Sequence, residues 1–338
     1  MQLLASWTIP HGGEPRTIQL LQGDLSQLPR EHSVDVLVVS AFKNDYRPTP
    51  TSLIGALARQ GLSVADLAEH KKVDLRNQFS CWLSGLVPGQ FAFRQILCIE
   101  SGWHGSPPEI ADDLFRALAP YLIGEFPNAS VAMPLIGTGD QGFPPGLIVE
   151  SLFRAAVGWI HRGLPLRLLK IVVFSEDAAK LARDKFDEIR TQFPAAESRP
   201  EQVDTGIDLF LSYCHEDSQA AKRILDSIQA MRPATRIFYD RTSLRTGSSW
   251  LMQIAESLDT SRRVVALYTP NYWKSNYCKD EFTAAITRQN DTGERILFPV
   301  YFRNTHVPYL FQNLQFLDCR EGDEDKLSGV CASLVEGL

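Results

Sequence analysis

Short β-rich apolar runs alternate with segments of helical spacing along almost the whole chain, and this alternation restricts the possible fold more than any other feature. In the first half the expected strands are Thr17 to Leu21, Val34 to Val39, Gln95 to Ile99, Ser130 to Met133 and Leu169 to Phe174. The expected helices are Thr51 to Glu69, Glu109 to Phe126, Pro145 to His161 and Asp177 to Gln192. This order predicts an α/β fold with a largely parallel sheet and helices on both faces.

The second half repeats the alternation on a smaller scale. Strands are expected at Ile207 to Ser212, Arg236 to Tyr239, Val264 to Tyr268, Ile296 to Tyr301 and Gln315 to Leu317. Helices are expected at about Ser218 to Met231, Ser249 to Leu258, Asn276 to Gln289 and Asp323 to Val335. Five short strands in one small α/β unit are typical of a flavodoxin-like doubly wound sheet.

The seam between the halves is a polar stretch with two prolines and no apolar periodicity. A chain of 338 residues is too long for one ordinary core, since domains usually hold roughly 100 to 200 residues. We therefore expect two α/β domains, 1–193 and 207–338, joined by a linker at 194–206.

Charge and cysteine usage exclude several classes of protein. The formal net charge of -6 gives no electrostatic reason to expect a nucleic acid partner. The six cysteines form no C-x-x-C pair, as expected for free thiols in a reducing compartment. The first seven residues do not resemble a signal peptide, and no apolar run is long enough to predict a membrane span. The expectation is a cytoplasmic protein with no membrane partner.

Glu281 lies at the margin of an apolar helical stripe. Cys278, Phe282 and Ala285 share one helix face at spacings of four and three, whereas Lys279 and Asp280 are expected to point away. A carboxylate beside an apolar face is partly desolvated, which strengthens its attraction for a cationic transition state. The alternative is a solvated glutamate with no chemical role.

Three stretches of the second half resemble, in order, the motifs of TIR domains. Residues 208–213, followed by Glu216 and Asp217, resemble the first strand and its capped helix. Residues 238–247 resemble the second strand and the BB loop. Residues 264–273 and 277–282 resemble the third strand and the helix that carries the catalytic glutamate of NAD-cleaving TIR enzymes.

The resemblance implies that Glu281 is catalytic and that NAD is a substrate, with no cofactor and no metal. Cleavage of an N-glycosidic bond develops positive charge on the ribose, which a carboxylate stabilises. Nicotinamide leaves from an already cationic form, so no strong general acid is needed. The one histidine in these motifs, His215, is interpreted as a surface or loop residue.

Further substrate contacts are expected around the same sheet edge. The candidate substrate-binding residues are Ser212, Tyr213, Asp240, Arg241, Trp250, Trp273 and Cys278. For Tyr213 and the two tryptophans, core packing is the alternative interpretation. Related TIR enzymes complete their site by self-association through the BB loop, so the resemblance also implies a homo-oligomer.

A glycine loop in the first half follows a late strand. Gly137, Gly139 and Gly142 spell G-x-G-x-x-G, and such a loop at a helix start favours phosphate. A dinucleotide-binding Rossmann unit would place the loop after the first strand and an acidic residue about 20 positions later. The order of elements therefore disfavours a Rossmann unit.

Thr17 to Gln192 resembles the macrodomain, an α/β/α fold that binds ADP-ribose. Leu21 to Leu25 resembles the loop whose aspartate, here Asp24, holds the adenine, and Ile136 to Pro144 resembles the diphosphate loop. The implied ligand-binding residues are Asp24, Gly137, Thr138, Gly139, Gly142 and Phe143. Ser40 to Asp45 departs from the family's Asn-Ala-Asn, which argues against removal of ADP-ribose from proteins. Binding of an ADP-ribose-like molecule and a degenerate, purely packing domain both stay open.

The leading hypothesis is an NAD glycohydrolase or ADP-ribosyl cyclase whose TIR domain is coupled to a macro-like nucleotide sensor, of the sort found in prokaryotic immunity. The alternatives are a non-catalytic TIR adaptor and a macrodomain ADP-ribose-binding or hydrolase protein. Retention of Glu281 argues against the adaptor.

Overall fold

The first half folds around an eight-stranded sheet. Its strands are β1 (Gln2–Ile9), β2 (Arg16–Gln22), β3 (Val34–Ser40), β4 (Lys71–Asp74), β5 (Cys81–Ser84), β6 (Phe93–Ile99), β7 (Ala129–Pro134) and β8 (Leu166–Val173). They lie in the order β1-β2-β8-β7-β3-β6-β5-β4. The five strands from β2 to β6 in this order are parallel, and β1, β5 and β4 are antiparallel at the edges. The sheet therefore places the ends of β2, β8, β7, β3 and β6 along one carboxyl edge.

This computed structural model describes residues 1–9, 15–100, 106–126, 128–138, 143–161, 163–192, 206–239, 257–320 and 324–338. The chain divides into two compact units, Met1–Ser198 and Arg199–Leu338. The boundary falls inside the polar stretch interpreted as a linker. The mixed α/β class expected from the sequence is confirmed.

Helices cover the first sheet. They are α1 (Leu53–Arg59), α2 (Val64–Glu69), α3 (Arg76–Phe79), α4 (Pro107–Gly124), α5 (Pro145–His161) and α6 (Glu176–Gln192). Helices α4, α5 and α6 pack side by side. Ile54, Leu57 and Val64 from α1 and α2 join Leu37 and Val39 of β3 in a separate apolar cluster. Alternate residues of the strands thus face different layers.

Two expectations for the first half are wrong. Thr17 to Leu21 does not begin the sheet, because β1 precedes it and pairs antiparallel with β2. As an edge strand β1 leaves apolar residues such as Leu3 exposed, so it lacks a clear apolar run. The helix expected at Thr51 to Glu69 is two helices, because Gly61 has a φ of 85° and Ser63 caps a new start by accepting from Asp66 N.

The second unit contains a five-stranded parallel sheet. Its strands are β9 (Leu209–Ser212), β10 (Ile237–Phe238), β11 (Arg263–Tyr268), β12 (Leu297–Tyr301) and β13 (Leu317–Asp318). The order β10-β9-β11-β12-β13 is the 2-1-3-4-5 order of flavodoxin-like sheets, as expected.

Three helices of the second unit lie wholly within the described residues, namely α7 (Ser218–Met231), α8 (Asn276–Thr292) and α9 (Glu324–Val335). Helices α7 and α9 pack together over an apolar cluster that includes Ile224, Val265 and Leu334. The helix expected at Ser249 to Leu258 lies mainly outside the described residues. Within the described part of the chain, no helix has the length and apolarity needed to cross a membrane.

Candidate functional site

The carboxyl edge of the second sheet brings Ser212 and Glu281 together. Ser212 ends β9 and pairs with Ala266 of the neighbouring β11. Helix α8 begins at Asn276, where the Ser275 side chain caps it by accepting from Cys278 N. Glu281 follows one turn later and faces the end of β9. Ligands of open α/β sheets bind at this edge.

Glu281 is buried and hydrogen-bonded. Only 6% of the residue is exposed, and Ser212 Oγ donates to Glu281 Oε2 at 2.6 Å. The alternative of a solvated glutamate is therefore wrong. A buried carboxylate interacts more strongly with a nearby positive charge, because less water screens the pair. The arrangement is suited to stabilising a cation.

The neighbours of Glu281 are partly as expected. Cys278, Phe282 and Ala285 are all buried, as the apolar stripe predicts. The expectation that Lys279 points away from the core is wrong, because Lys279 is buried as well. Helix α8 buries residues well beyond one stripe, so a single apolar face underestimates how much of it is enclosed.

The hydroxyl of Ser212 is also in contact with the hydroxyl of Tyr272. Tyr272 Oη lies 3.0 Å from Ser212 Oγ. Ser212 has one hydroxyl proton, which it gives to Glu281, so Tyr272 is the donor in this pair. Burial, with Cys278 and Glu281 nearby, raises the pKa of Tyr272 well above its usual value, which keeps this donor protonated at neutral pH. Sequence reasoning missed Tyr272 because its partner is 60 residues away.

Three other predicted site residues lie in packed surroundings. Trp273 is buried in an aromatic cluster with Tyr268, Tyr272, Phe282 and Phe311. Tyr213 is half-buried against the apolar cluster under α7 and α9. Cys278 is fully buried. These positions favour the packing interpretation. His215 is exposed, as expected for a surface histidine.

Several predicted residues cannot be placed relative to these groups. Asp240, Arg241, Trp250, Gly139 and Gly142 lie outside the described residues. Their roles stay predictions from the resemblance.

In the first unit Asp24 follows β2 at the carboxyl edge of the larger sheet. Its Oδ1 accepts from Ser26 N at 2.8 Å and from Ser26 Oγ at 2.7 Å. Gln27 Nε2 lies 3.3 Å from Oδ2. The carboxylate thus caps the turn at Leu25–Gln27, which holds the Asp24 loop in one conformation.

The glycine loop follows β7 at the same edge. Gly137 has a φ of 91°, a conformation that glycine adopts without strain. Thr138 Oγ1 donates to Leu135 O at 2.8 Å, and Phe143 N donates to Gly137 O at 3.1 Å. The described ends of this loop are therefore tied to each other.

Phe174 is a candidate contact that sequence reasoning missed. It directly follows β8 and is 78% exposed. Gly23 N donates to Val173 O at 2.9 Å, which sets Phe174 beside the Asp24 loop. An aromatic ring exposed at a carboxyl edge is available for stacking on a ligand ring. The sequence feature that could have identified Phe174 is its position at the end of a continuous apolar run.

Two residues of the loop after β3 contact a buried carboxylate. Glu100, just after β6, accepts from Trp82 Nε1 at 2.8 Å, from Asn44 N at 3.0 Å and from Tyr46 Oη. Arg76 Nη1 lies 4.0 Å away. Burial and the Glu100 carboxylate raise the pKa of Tyr46. The loop from Asn44 to Tyr46 is therefore held against the sheet by an acid that no motif predicted.

A groove of about 460 Å³ lies between α4 and α5. None of the candidate site residues above lines it, so we do not assign it to either site. The described residues contain no cluster of three or more histidine, cysteine or acidic side chains arranged to hold a metal ion.

The chain is similar to two groups of known proteins. The sequence model of the TIR domain family matches residues 209–334. Among solved structures, the Oceanobacillus iheyensis macrodomain with ADP is 17% identical with a TM-score of 0.39, and the match covers 56% of this chain and 98% of that one. The Trypanosoma brucei macrodomain in complex with ADP-ribose is 18% identical with a TM-score of 0.39, covering 49% of this chain and 68% of that one. No curated protein matches the sequence. Residues 209–334 are therefore similar to TIR domains, and macrodomains are among the solved structures to which the chain is similar.

Proposed function

We propose that the TIR domain breaks the nicotinamide–ribose bond of NAD, with Glu281 as the catalytic residue. The observation that carries this proposal is the Glu281 carboxylate, which is buried at the carboxyl edge of the sheet and receives the hydroxyl of Ser212. A carboxylate enclosed in this way is positioned before the reaction and needs little reorganisation during it.

The reaction needs a negative charge more than it needs a proton donor. As nicotinamide leaves, positive charge develops on the ribose, and the Glu281 carboxylate stabilises it. The Ser212 hydrogen bond orients the carboxylate. Attack by water releases ADP-ribose, whereas attack by the adenine closes a cyclic product. Both products stay open.

The direct test is nicotinamide release from NAD by the purified full chain, followed by chromatography of the products. Glu281→Gln keeps the shape of the side chain and removes its charge, so the rate should fall by about 100- to 1000-fold. Asp291→Asn is the matched control, because Asp291 is an exposed acid on the same helix and its loss should leave the rate unchanged.

Two outcomes would contradict the proposal. Full activity of Glu281→Gln would remove Glu281 from the mechanism. Absence of NAD cleavage by the unmodified protein, with and without ADP-ribose, would support a non-catalytic TIR adaptor instead.

We further propose that the first unit binds an ADP-ribose-type molecule and regulates the TIR domain. Support comes from the Asp24 loop, the glycine loop and Phe174, which share one sheet edge. Loss of Asn-Ala-Asn, with the replacement loop tied to Glu100, favours binding over hydrolysis of ADP-ribose. Self-association of the TIR domain and a role in prokaryotic immunity in the cytoplasm belong to the same proposal and rest on the resemblance.

A further inference from the structure

Asp217 is a buried acid that joins three loops at the carboxyl edge of the TIR sheet. It follows β9, and only 2% of it is exposed. Its carboxylate accepts from Thr269 Oγ1 at 2.6 Å and from Asn271 Nδ2 at 3.3 Å, both in the loop after β11. Arg303 Nη1, after β12, lies 3.5 Å away. The acid therefore contacts the loops that follow two neighbouring strands.

Helix capping does not account for this acid. Asp217 occupies the N-cap position of α7, but its side chain makes no capping hydrogen bond there. An aspartate at that position usually accepts from the first free amides of the helix. Here the carboxylate instead accepts hydrogen bonds from Thr269 and Asn271, in the loop after β11.

Thr269 links the Asp217 carboxylate to the backbone of Tyr272. Its hydroxyl donates its one proton to Asp217, and its oxygen accepts from Tyr272 N at 3.1 Å. Thr269 is fully buried, so water does not replace either contact. The backbone of Tyr272 is thereby fixed relative to Asp217.

The side chain of Tyr272 completes a continuous chain of contacts. Tyr272 Oη reaches Ser212 Oγ, and Ser212 donates to Glu281. Each of these groups is buried. A displacement of Thr269 would therefore move the Tyr272 hydroxyl and weaken its contact with Ser212, the residue that donates to Glu281.

We propose that Asp217 is a positioning residue for cleavage of NAD, acting through Thr269 and Tyr272 on the Ser212 and Glu281 pair. This inference rests on the proposed NAD cleavage. Asp217 itself does not touch the reacting atoms. Its effect is on geometry, and a misplacement of about 1 Å at a reacting centre costs on the order of 100-fold in rate.

The test compares Thr269→Val with Thr269→Ser in the full chain. Valine keeps the shape and removes the hydroxyl, so kcat for nicotinamide release should fall by about 10- to 100-fold with KM within about twofold. Serine keeps the hydroxyl and should restore kcat. Thr287→Val is the matched control, because Thr287 is a buried threonine of α8 whose hydroxyl donates to Thr283 O of the same helix.

A purely structural role would give a different pattern. If Thr269→Val leaves kcat unchanged, or if serine fails to rescue it, the inference is wrong. The same holds if kcat falls only in proportion to a loss of folded protein measured by circular dichroism.

Crystal structures of the variants separate this inference from the proposed function. If the unmodified protein releases no nicotinamide, the proposed function fails, yet the distance between Tyr272 Oη and Ser212 Oγ still reports positioning. We expect it to lengthen beyond about 3.5 Å in Thr269→Val, where a hydrogen bond is lost. A distance that stays near the 3.0 Å of the unmodified protein would overturn the inference.

Discussion

Each unit contains a buried carboxylate that accepts a hydrogen bond from a side chain distant in the sequence. Glu281 accepts the Ser212 hydroxyl. Glu100 accepts an indole, a phenol and a backbone amide, and Arg76 lies nearby. A carboxylate enclosed by donors contributes to stability mainly because its removal leaves those donors unpaired. The three donors to Glu100 therefore predict a role in folding for this residue, whereas the role proposed above for Glu281 is in chemistry.

Glu100→Ala should destabilise the first unit by about 3 kcal/mol, because the Trp82, Tyr46 and Asn44 donors lose their acceptor. For a unit of this size that free energy corresponds to a fall in melting temperature of roughly 6 to 12 °C, measured by calorimetry. The control is Glu150→Ala, which removes a surface ion pair with Arg154. This change should shift the melting temperature little. Equal shifts in the two variants would show that the Glu100 network adds nothing.

Two arginines from other elements donate hydrogen bonds to the carbonyl oxygens at the end of α9. Arg263 donates to Leu334 O at 2.7 Å and to Glu336 O at 2.5 Å. Arg232 donates to Val335 O at 2.9 Å. The last carbonyls of a helix lack partners within the helix, and cations there also favour the helix dipole. These arginines, from the end of α7 and the start of β11, therefore hold α9 in place.

Arg263→Ala should loosen α9 by about 1 to 2 kcal/mol, which is roughly a 5- to 30-fold loss of amide protection. Native-state hydrogen exchange of the α9 amides measures this directly. Arg262→Ala is the neighbouring control, because Arg262 is exposed and its contact with Asp208 is long, at 3.9 Å. Equal exchange rates of the α9 amides in the two variants would show that Arg263 does not stabilise this helix.

At the scale of the whole molecule, the two units carry different candidate sites. The product of NAD hydrolysis, ADP-ribose, is also the class of ligand proposed for the first unit. A ligand that binds one site and changes the other must do so with a reciprocal coupling free energy, typically 1 to 3 kcal/mol. The two proposals together therefore predict feedback by the product.

ADP-ribose should bind the full chain in calorimetry, and Phe174→Ala should weaken that binding by about 5-fold or more through loss of ring stacking. Bound ADP-ribose should also change the rate of NAD cleavage by about 5- to 150-fold, a change that the same variant reduces. Leu86→Ala is the control, since Leu86 is equally exposed but lies in the loop before β6, at the opposite edge. If both variants bind ADP-ribose with equal affinity, Phe174 does not contact the ligand.

The sequence predicted the five parallel strands of the first sheet, the doubly wound second sheet and the position of Glu281 on a helix. Apolar periodicity and motif spacing are local properties, and the second unit follows them closely. Local patterns failed for β1, whose pairing is an edge contact with β2. They failed again at Gly61, where a positive φ divides a helix.

The contacts of the acids were decided only by the tertiary structure. Ser212 is 69 residues from Glu281, Asp217 is 52 residues from Thr269, and Tyr46 is 54 residues from Glu100. Such pairs meet because the strand order sets the carboxyl ends of β9 and β11 side by side, and those of β3 and β6 likewise. The amino-acid sequence by itself determined which residues are apolar, helical or acidic. Which hydroxyl meets which carboxylate depends on the packing of elements that are distant in the chain, and no local pattern carries that information.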